Sequence, residues 1–251
     1  MLDFHHPAAA SPTDQAHGLR RLFAGTQLQA IALVANPHVG FSSVVLERLT
    51  TVLGAMGLNT LVVDAADSSP APQELAALDL GACIEVLSAQ VSYLAARGLP
   101  LRHVDARGSS AHFLDRLQVA APQARVLLVH AGASDLARLF GRRALRPLLL
   151  ATDQPDSLTH AYAAMKLLVQ RCALMSYDLL LAAPPAQRRT AVIAQRLASC
   201  ADSFLGAALH DWVAIDPACD VRDAPGDALI DLMAAQLCSD EDTRLALPTL
   251  N

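Results

Sequence analysis

A short stretch of this chain holds the residue types that could receive an anion. Ala35-Asn36-Pro37-His38-Val39-Gly40-Phe41-Ser42-Ser43 follows an apolar run, Ala30–Val34, and precedes the helical pattern Val44–Met56. A turn of this kind presents backbone N–H groups at a helix start, where the helix dipole attracts phosphate. Ser42 carries a hydroxyl suited to Mg²⁺, and Asp64 closes the apolar run Leu61-Val62-Val63 with a carboxylate. His130 ends another apolar run, Arg125–Val129. The missing ingredient is positive charge. Bound β- and γ-phosphates need ammonium groups to offset them, yet Lys166 is the only lysine in the chain. Pro37 also removes one N–H donor, and Phe41 offers a ring in place of a cation. Two readings stay open: a weak or altered anion site, or an ordinary strand-to-helix turn. A transition-metal site from His38, His130 and Asp64 is a further option that nothing in the spacing requires. A Ser42/Asp64/His130 triad is another, but it lacks a nucleophile-elbow motif.

The elements that must position these residues alternate in type. Strands are predicted over 30–35, 60–64, 101–105, 125–130, 146–151, 177–182 and 211–215. Helices are predicted over 42–56, 72–79, 84–96, 110–119, 156–172, 187–201 and 226–238. Short apolar strands between longer amphipathic helices predict an α/β domain with a mostly parallel sheet of about seven strands, covered on both faces. Residues 1–27 are read as an N-terminal arm with a short helix over Asp14–Phe23, and 28–251 as a single domain.

Composition narrows the function classes. With 53% hydrophobic residues among 251, the chain can bury a sizeable core. A net charge of −5 gives no general attraction to nucleic acid, so none is expected as a partner. The five cysteines are dispersed, odd in number and form no C-x-x-C pair, which fits reduced thiols rather than a zinc site. Mean hydropathy is +0.32, but every apolar run is broken well before the ~20 residues of a spanning helix. The start lacks the basic and apolar regions of a signal peptide. A cytoplasmic protein without stable membrane insertion is expected.

Three segments carry a family resemblance. Thr152-Asp153-Gln154-Pro155-Asp156-Ser157-Leu158-Thr159-His160-Ala161-Tyr162-Ala163-Ala164-Met165-Lys166 resembles a T-T-P-E-P-T-x-I/L-T-D-A-Y-A-x-I/L-K pattern of the MinD/ParA P-loop ATPases, especially their flagellar branch, FlhG (also called FleN). Cys200-Ala201-Asp202-Ser203-Phe204-Leu205-Gly206-Ala207-Ala208-Leu209 is similar to that branch's V-A-D-R-F-L-G-V-x-L. Thr13-Asp14-Gln15-Ala16-His17-Gly18-Leu19-Arg20 matches its D-Q-A-x-x-L-R activator helix. The resemblance implies a three-layer P-loop fold of the MinD/ParA (SIMIBI) type. It also implies an N-terminal helix that docks on the SRP-type GTPase FlhF through Asp14, Gln15, Ala16, Leu19 and Arg20. Such a helix could lay its leucines in a groove, while an amide orients water and an arginine stabilises phosphoryl charge.

The departures bear on chemistry. The family's loop reads G-K-G-G-x-G-K-S/T-S/T, and Asn36 and Phe41 occupy the two lysine positions. A D-x-D after the second strand becomes Asp64-Ala65-Ala66-Asp67, the Asp of a D-T-G-A-G becomes His130, and an adenine-reading Asn gives way to Ala182-Ala183-Pro184. Residues Asn36, His38, Gly40, Phe41, Ser42, Ser43, Asp64 and His130 are therefore read as a vestigial nucleotide site. No catalytic residue, no metal and no cofactor are expected. The expectation is a degenerate FlhG-like regulator of flagellum number or placement, acting by protein binding, with recruitment to the cell pole and further flagellar partners. The alternatives are a divergent Mg-dependent ATPase binding ATP through residues 35–43, or a MinD-like scaffold for another polar machine.

Overall fold

The computed structural model describes residues 28–141, 143–184, 188–220 and 223–244. Its centre is an eight-stranded sheet: β1 (Gln29–Val34), β2 (Thr60–Asp64), β3 (Glu85–Val86), β4 (Val91–Ala95), β5 (Val126–Ala131), β6 (Leu148–Ala151), β7 (Ser176–Ala182) and β8 (Ala208–Ile215). The spatial order is β3-β4-β2-β5-β1-β6-β7-β8, parallel throughout except for the antiparallel β3. β1 runs beside β5, with Gln29 opposite Val126 and Leu33 opposite His130. The opposite neighbour of β5 is β2, which puts Asp64 level with His130.

Side-chain alternation along each strand feeds two cores. Ile31, Leu33, Val62 and Leu128 face α1 (Ser42–Ala55) and α7 (Asp227–Arg244). Ala32, Val34, Val63 and Val129 face α3 (Ala111–Ala120), α4 (Ala133–Phe140), α5 (Pro155–Cys172) and α6 (Arg188–Leu205). Helix α1 has its apolar residues at helical spacing, so Val45, Leu49, Val52 and Leu53 all reach the sheet. No described helix is long and apolar enough to cross a membrane.

Two sequence expectations fail together. Residues 84–96 do not form a helix but a hairpin, β3 to β4, closed by Ser88 Oγ accepting the N–H groups of Gln90 and Val91. The apolar residues Ile84, Leu87, Val91 and Leu94 mimic helical spacing, but Val91-Ser92-Tyr93-Leu94 pairs along β2 over its whole length. The expected strand 101–105 gives way to a single helical turn, α2 (Leu99–Arg102), entered through Gly98 at φ +74° and Pro100 in the first turn. Leu101 and Val104 point outward there, 53% and 39% exposed, so that run builds no core strand. The segment 72–79 holds a 3₁₀ turn, Glu74–Ala77, instead of a longer helix.

One buried polar cluster fastens the last helix. Asp178 of β7 has no exposed surface, and its carboxylate accepts the N–H of Asp211 in β8 at 3.0 Å and Gln236 Nε2 of α7 at 2.7 Å. Arg146 Nε lies 2.8 Å from the same carboxylate. Burial pushes this carboxyl up, against the opposing pull of Gln236 and Arg146. Asp178→Ala leaves the buried Gln236 amide and the half-buried Arg146 guanidinium without their carboxylate and should cost about 3–5 kcal/mol, read as a lowered urea midpoint.

Candidate functional site at the carboxyl ends of the strands

The loops leaving β1, β2, β5 and β6 meet above the sheet, where parallel α/β folds place ligands. Asn36 is the pivot. Its side chain is 4% exposed and turned inward, Nδ2 donating to Leu150 O (2.9 Å), Ser157 O (2.9 Å) and Ser157 Oγ (3.0 Å). Its Oδ1 accepts the His38 N–H at 3.1 Å. Ser157 Oγ also accepts the Thr152 N–H, so the amide ties the β1 loop to the β6 end and the start of α5. The Val39 N–H closes the turn onto Asn36 O at 3.0 Å. The N–H groups of His38 and Val39 are thus spent inside the loop, and Pro37 has none to give. Fewer donors remain for a phosphate.

The other loop positions do not compensate. Phe41 is 58% exposed, and it precedes α1 without any side-chain cap. Gly40 has no left-handed backbone, and a Cβ there would meet nothing within 4 Å, so the turn does not require a glycine. His38 packs edge-on against His160 of α5, ring centroids 5.9 Å apart. Burial first, and then the neighbouring His38, hold His160 below its ordinary value, so this ring is a poor source of positive charge near neutral pH. Lys166 is exposed on α5 and lines neither of the two cavities at this end of the sheet.

Asp64 and His130, aligned by the β2–β5 register, are joined: His130 Nδ1 lies 2.7 Å from Asp64 Oδ1. Ser69 Oγ donates to the same oxygen, and Tyr93 OH donates to Oδ2 at 3.2 Å. Burial pushes this carboxyl up, but the His130 hydrogen bond and charge, with the Ser69 and Tyr93 hydroxyls, leave it below its ordinary value. His130 is 1% exposed, and its Nε2 has no hydrogen-bond partner among the described residues. A carboxylate so occupied has little left for a hydrated metal. His38 stands apart from this pair, and among the described residues no group of three His, Cys, Asp or Glu is placed to hold an ion. Ser42, the serine of the triad reading, lines a cavity with Asp64, but among the described residues no hydrogen bond joins it to His130, whose Nδ1 faces Asp64.

Two cavities flank this cluster. A larger one of about 1110 Å³ lies beside α1 and includes Ser42, Ser43, Asp64 and Tyr93. A smaller one of about 440 Å³ opens on the other face and includes Asn36, Asp67 and His160. Asp67 therefore faces a different space from Asp64. Arg138 lines the smaller cavity, but its guanidinium is paired with Asp135 at 2.9 Å. Neither lining includes Phe41 or residues 182–184. Tyr93 and Ser69 were invisible to the sequence reading, Tyr93 because its strand was read as helix. Its signal was the β-prone run Val91-Ser92-Tyr93-Leu94. The proposed partner residues Asp14, Gln15, Ala16, Leu19 and Arg20 lie outside the described residues.

No family model matches the chain, and no curated protein sequence does. Solved structures do match by shape. The MinD cell division protein of Aquifex aeolicus superposes with a TM-score of 0.53 at 11% identity, over 89% of this chain and 100% of that one. A Cyanothece McdA variant in complex with ATP gives 0.54 at 12% identity, over 90% and 100%. The septum site-determining protein MinD of Pyrococcus horikoshii, complexed with Mg-ADP, gives 0.50 at 16% identity, over 88% and 98%. The α/β architecture is that of MinD/ParA P-loop NTPases.

Two outcomes follow from this geometry. Asn36→Lys should destabilise the domain by about 3 kcal/mol or more, because it severs the inward bonds and buries an ammonium; calorimetric melting reads this directly. Asp64, held below its ordinary value of 3.8, stabilises the fold above that pH and loses its contribution as pH falls through the lowered value. The stability gap between wild type and Asp64→Asn, measured by urea unfolding, should therefore shrink as pH falls through 3.8 and below.

Proposed function

We propose that this MinD/ParA-type scaffold acts by binding protein and not by turning over nucleotide. The observation that carries the reading is Asn36. At the position where an ATPase of this fold sends a lysine toward phosphate, an amide is bonded inward to Leu150 and Ser157. The Asp64–His130 pair and the consumed loop N–H groups support the same reading. Positive charge, donors and a metal carboxylate are all diminished at one site.

The finer reading is a degenerate FlhG-like regulator of flagellum number or placement. It rests on the resemblance of Asp14-Gln15-Ala16 with Leu19-Arg20 to the activator helix, and of residues 152–166 and 200–206 to the flagellar branch. In this reading the arm engages the GTPase FlhF, Leu19 anchors it, and Gln15 and Arg20 address the nucleotide of the partner. The competing reading, a divergent Mg-dependent ATPase, draws on the retained hydroxyls Ser42 and Ser43 beside a large cavity.

Titration calorimetry with Mg-ATP should give no heat of binding up to millimolar nucleotide; micromolar binding abolished by Ser42→Ala would establish the competing reading instead. The chain should raise GTP turnover by FlhF, and Gln15→Ala should remove that stimulation while leaving the melting curve unchanged. Stimulation that survives Gln15→Ala would sink the role given to the arm.

A further inference from the structure

The cavity beside α1 is a long groove whose floor is sheet and whose chemistry does not suit a nucleotide. Val62, Val91 and Tyr93 form the floor, Glu47 and Thr51 stand on the α1 wall, and Leu87 tops the hairpin wall. Its volume of about 1110 Å³ exceeds the usual range for a small ligand, roughly 300–1,000 Å³. Among the described residues, the only charged ones in its lining are Glu47 and Asp64, and no described lysine, arginine or histidine lines it. Asp64 is committed to Ser69, Tyr93 and His130, whereas Glu47 is exposed. Glu85 adds a third carboxylate beside the Tyr93 ring. An occupant that complements this groove presents apolar side chains to the floor and cations to the rim.

The chain supplies such a segment. Leu19, Leu22 and Phe23 alternate with Arg20 and Arg21, the sole lysine or arginine residues within 1–27. Reach is sufficient. The described chain begins at Leu28, at the amino end of β1, and the groove's near end, Gly54, Ala55 and Gln90, sits by the amino end of β4. β1 and β4 are three strand spacings apart, or about 14 Å. The connection from Phe23 to Leu28 can extend about 17 Å.

We propose that residues 14–23 dock in the α1–hairpin groove of their own chain, with Leu19, Leu22 and Phe23 on the Val62/Val91/Tyr93 floor and the arginines against Glu47. The docking itself stands apart from any partner. Its regulatory meaning rests on the functional reading above: the docked arm buries Leu19 and Arg20, the residues assigned to the GTPase, and must leave the groove to act.

Hydrogen exchange on the full chain tests this. A short tether gives an effective concentration in the millimolar range, so a segment of ~100 µM intrinsic affinity is docked about ten to one. In a Leu19→Asp/Leu22→Asp/Phe23→Asp variant, amides of 46–55 and 87–93 should exchange up to about tenfold faster. Glu47→Arg, on an exposed helix position, should produce the same release while leaving the arm intact. A synthetic peptide of residues 11–27 added to the triple variant should restore the protection. Exchange identical in wild type and both variants would overturn the docking, whatever the GTPase does. If Glu47→Arg releases the groove and FlhF turnover does not rise, the docking stands and the functional reading fails.

Discussion

The carboxyl edge of the sheet depends on one amide. Asn36 reaches from the β1 loop to the last residues of β6 and the first turn of α5, and its oxygen shapes its own turn through the His38 N–H. A buried polar side chain is stable only when its donors and acceptors are met. Here they are met by protein, which closes the loop on itself. The Nδ2 hydrogen bonds of this side chain are completed inside the chain, between residues more than a hundred positions apart.

The neighbouring carboxylate follows the same logic. Asp64 sits where it could orient a metal-bound water, but His130, Ser69 and Tyr93 converge on it from β5, the β2 loop and β4. These contacts hold the ends of three adjacent strands in register and occupy both carboxylate oxygens. Asn36 and Asp64 are thus internal fastenings at the top of the domain.

Much of this was legible beforehand. β1, β2 and β5 announce themselves as continuous apolar runs because both faces are buried. The ends of those runs located Asn36, Asp64 and His130 at one edge. What sequence could not resolve was partnership. The inward turn of Asn36 depends on Ser157, more than a hundred residues away, and no local pattern announces that bond. The hairpin was missed for a different reason. Ile84, Leu87, Val91 and Leu94 satisfy a helical period, while β4 is decided by pairing with β2, and its antiparallel partner β3 is only two residues long. With that strand went Tyr93 and the floor of the larger groove. Residues 101–105 offer only Leu101 and Val104 as apolar side chains, and both point outward.

The register that seats β1 between β5 and β6 has a consequence for biosynthesis. Gln29 lies opposite Val126 and Leu33 opposite Leu148, so the first described strand has no pairing partner until the ribosome has delivered the middle of the chain. At ~5–20 residues per second that wait is on the order of five to twenty seconds. During it Ile31, Leu33 and Val34, among the most deeply buried side chains of the finished domain, have no sheet to enter. The nascent polypeptide carries an adhesive segment until β5 is delivered, and the length of that exposure is set by strand order and not by the stability of the finished domain.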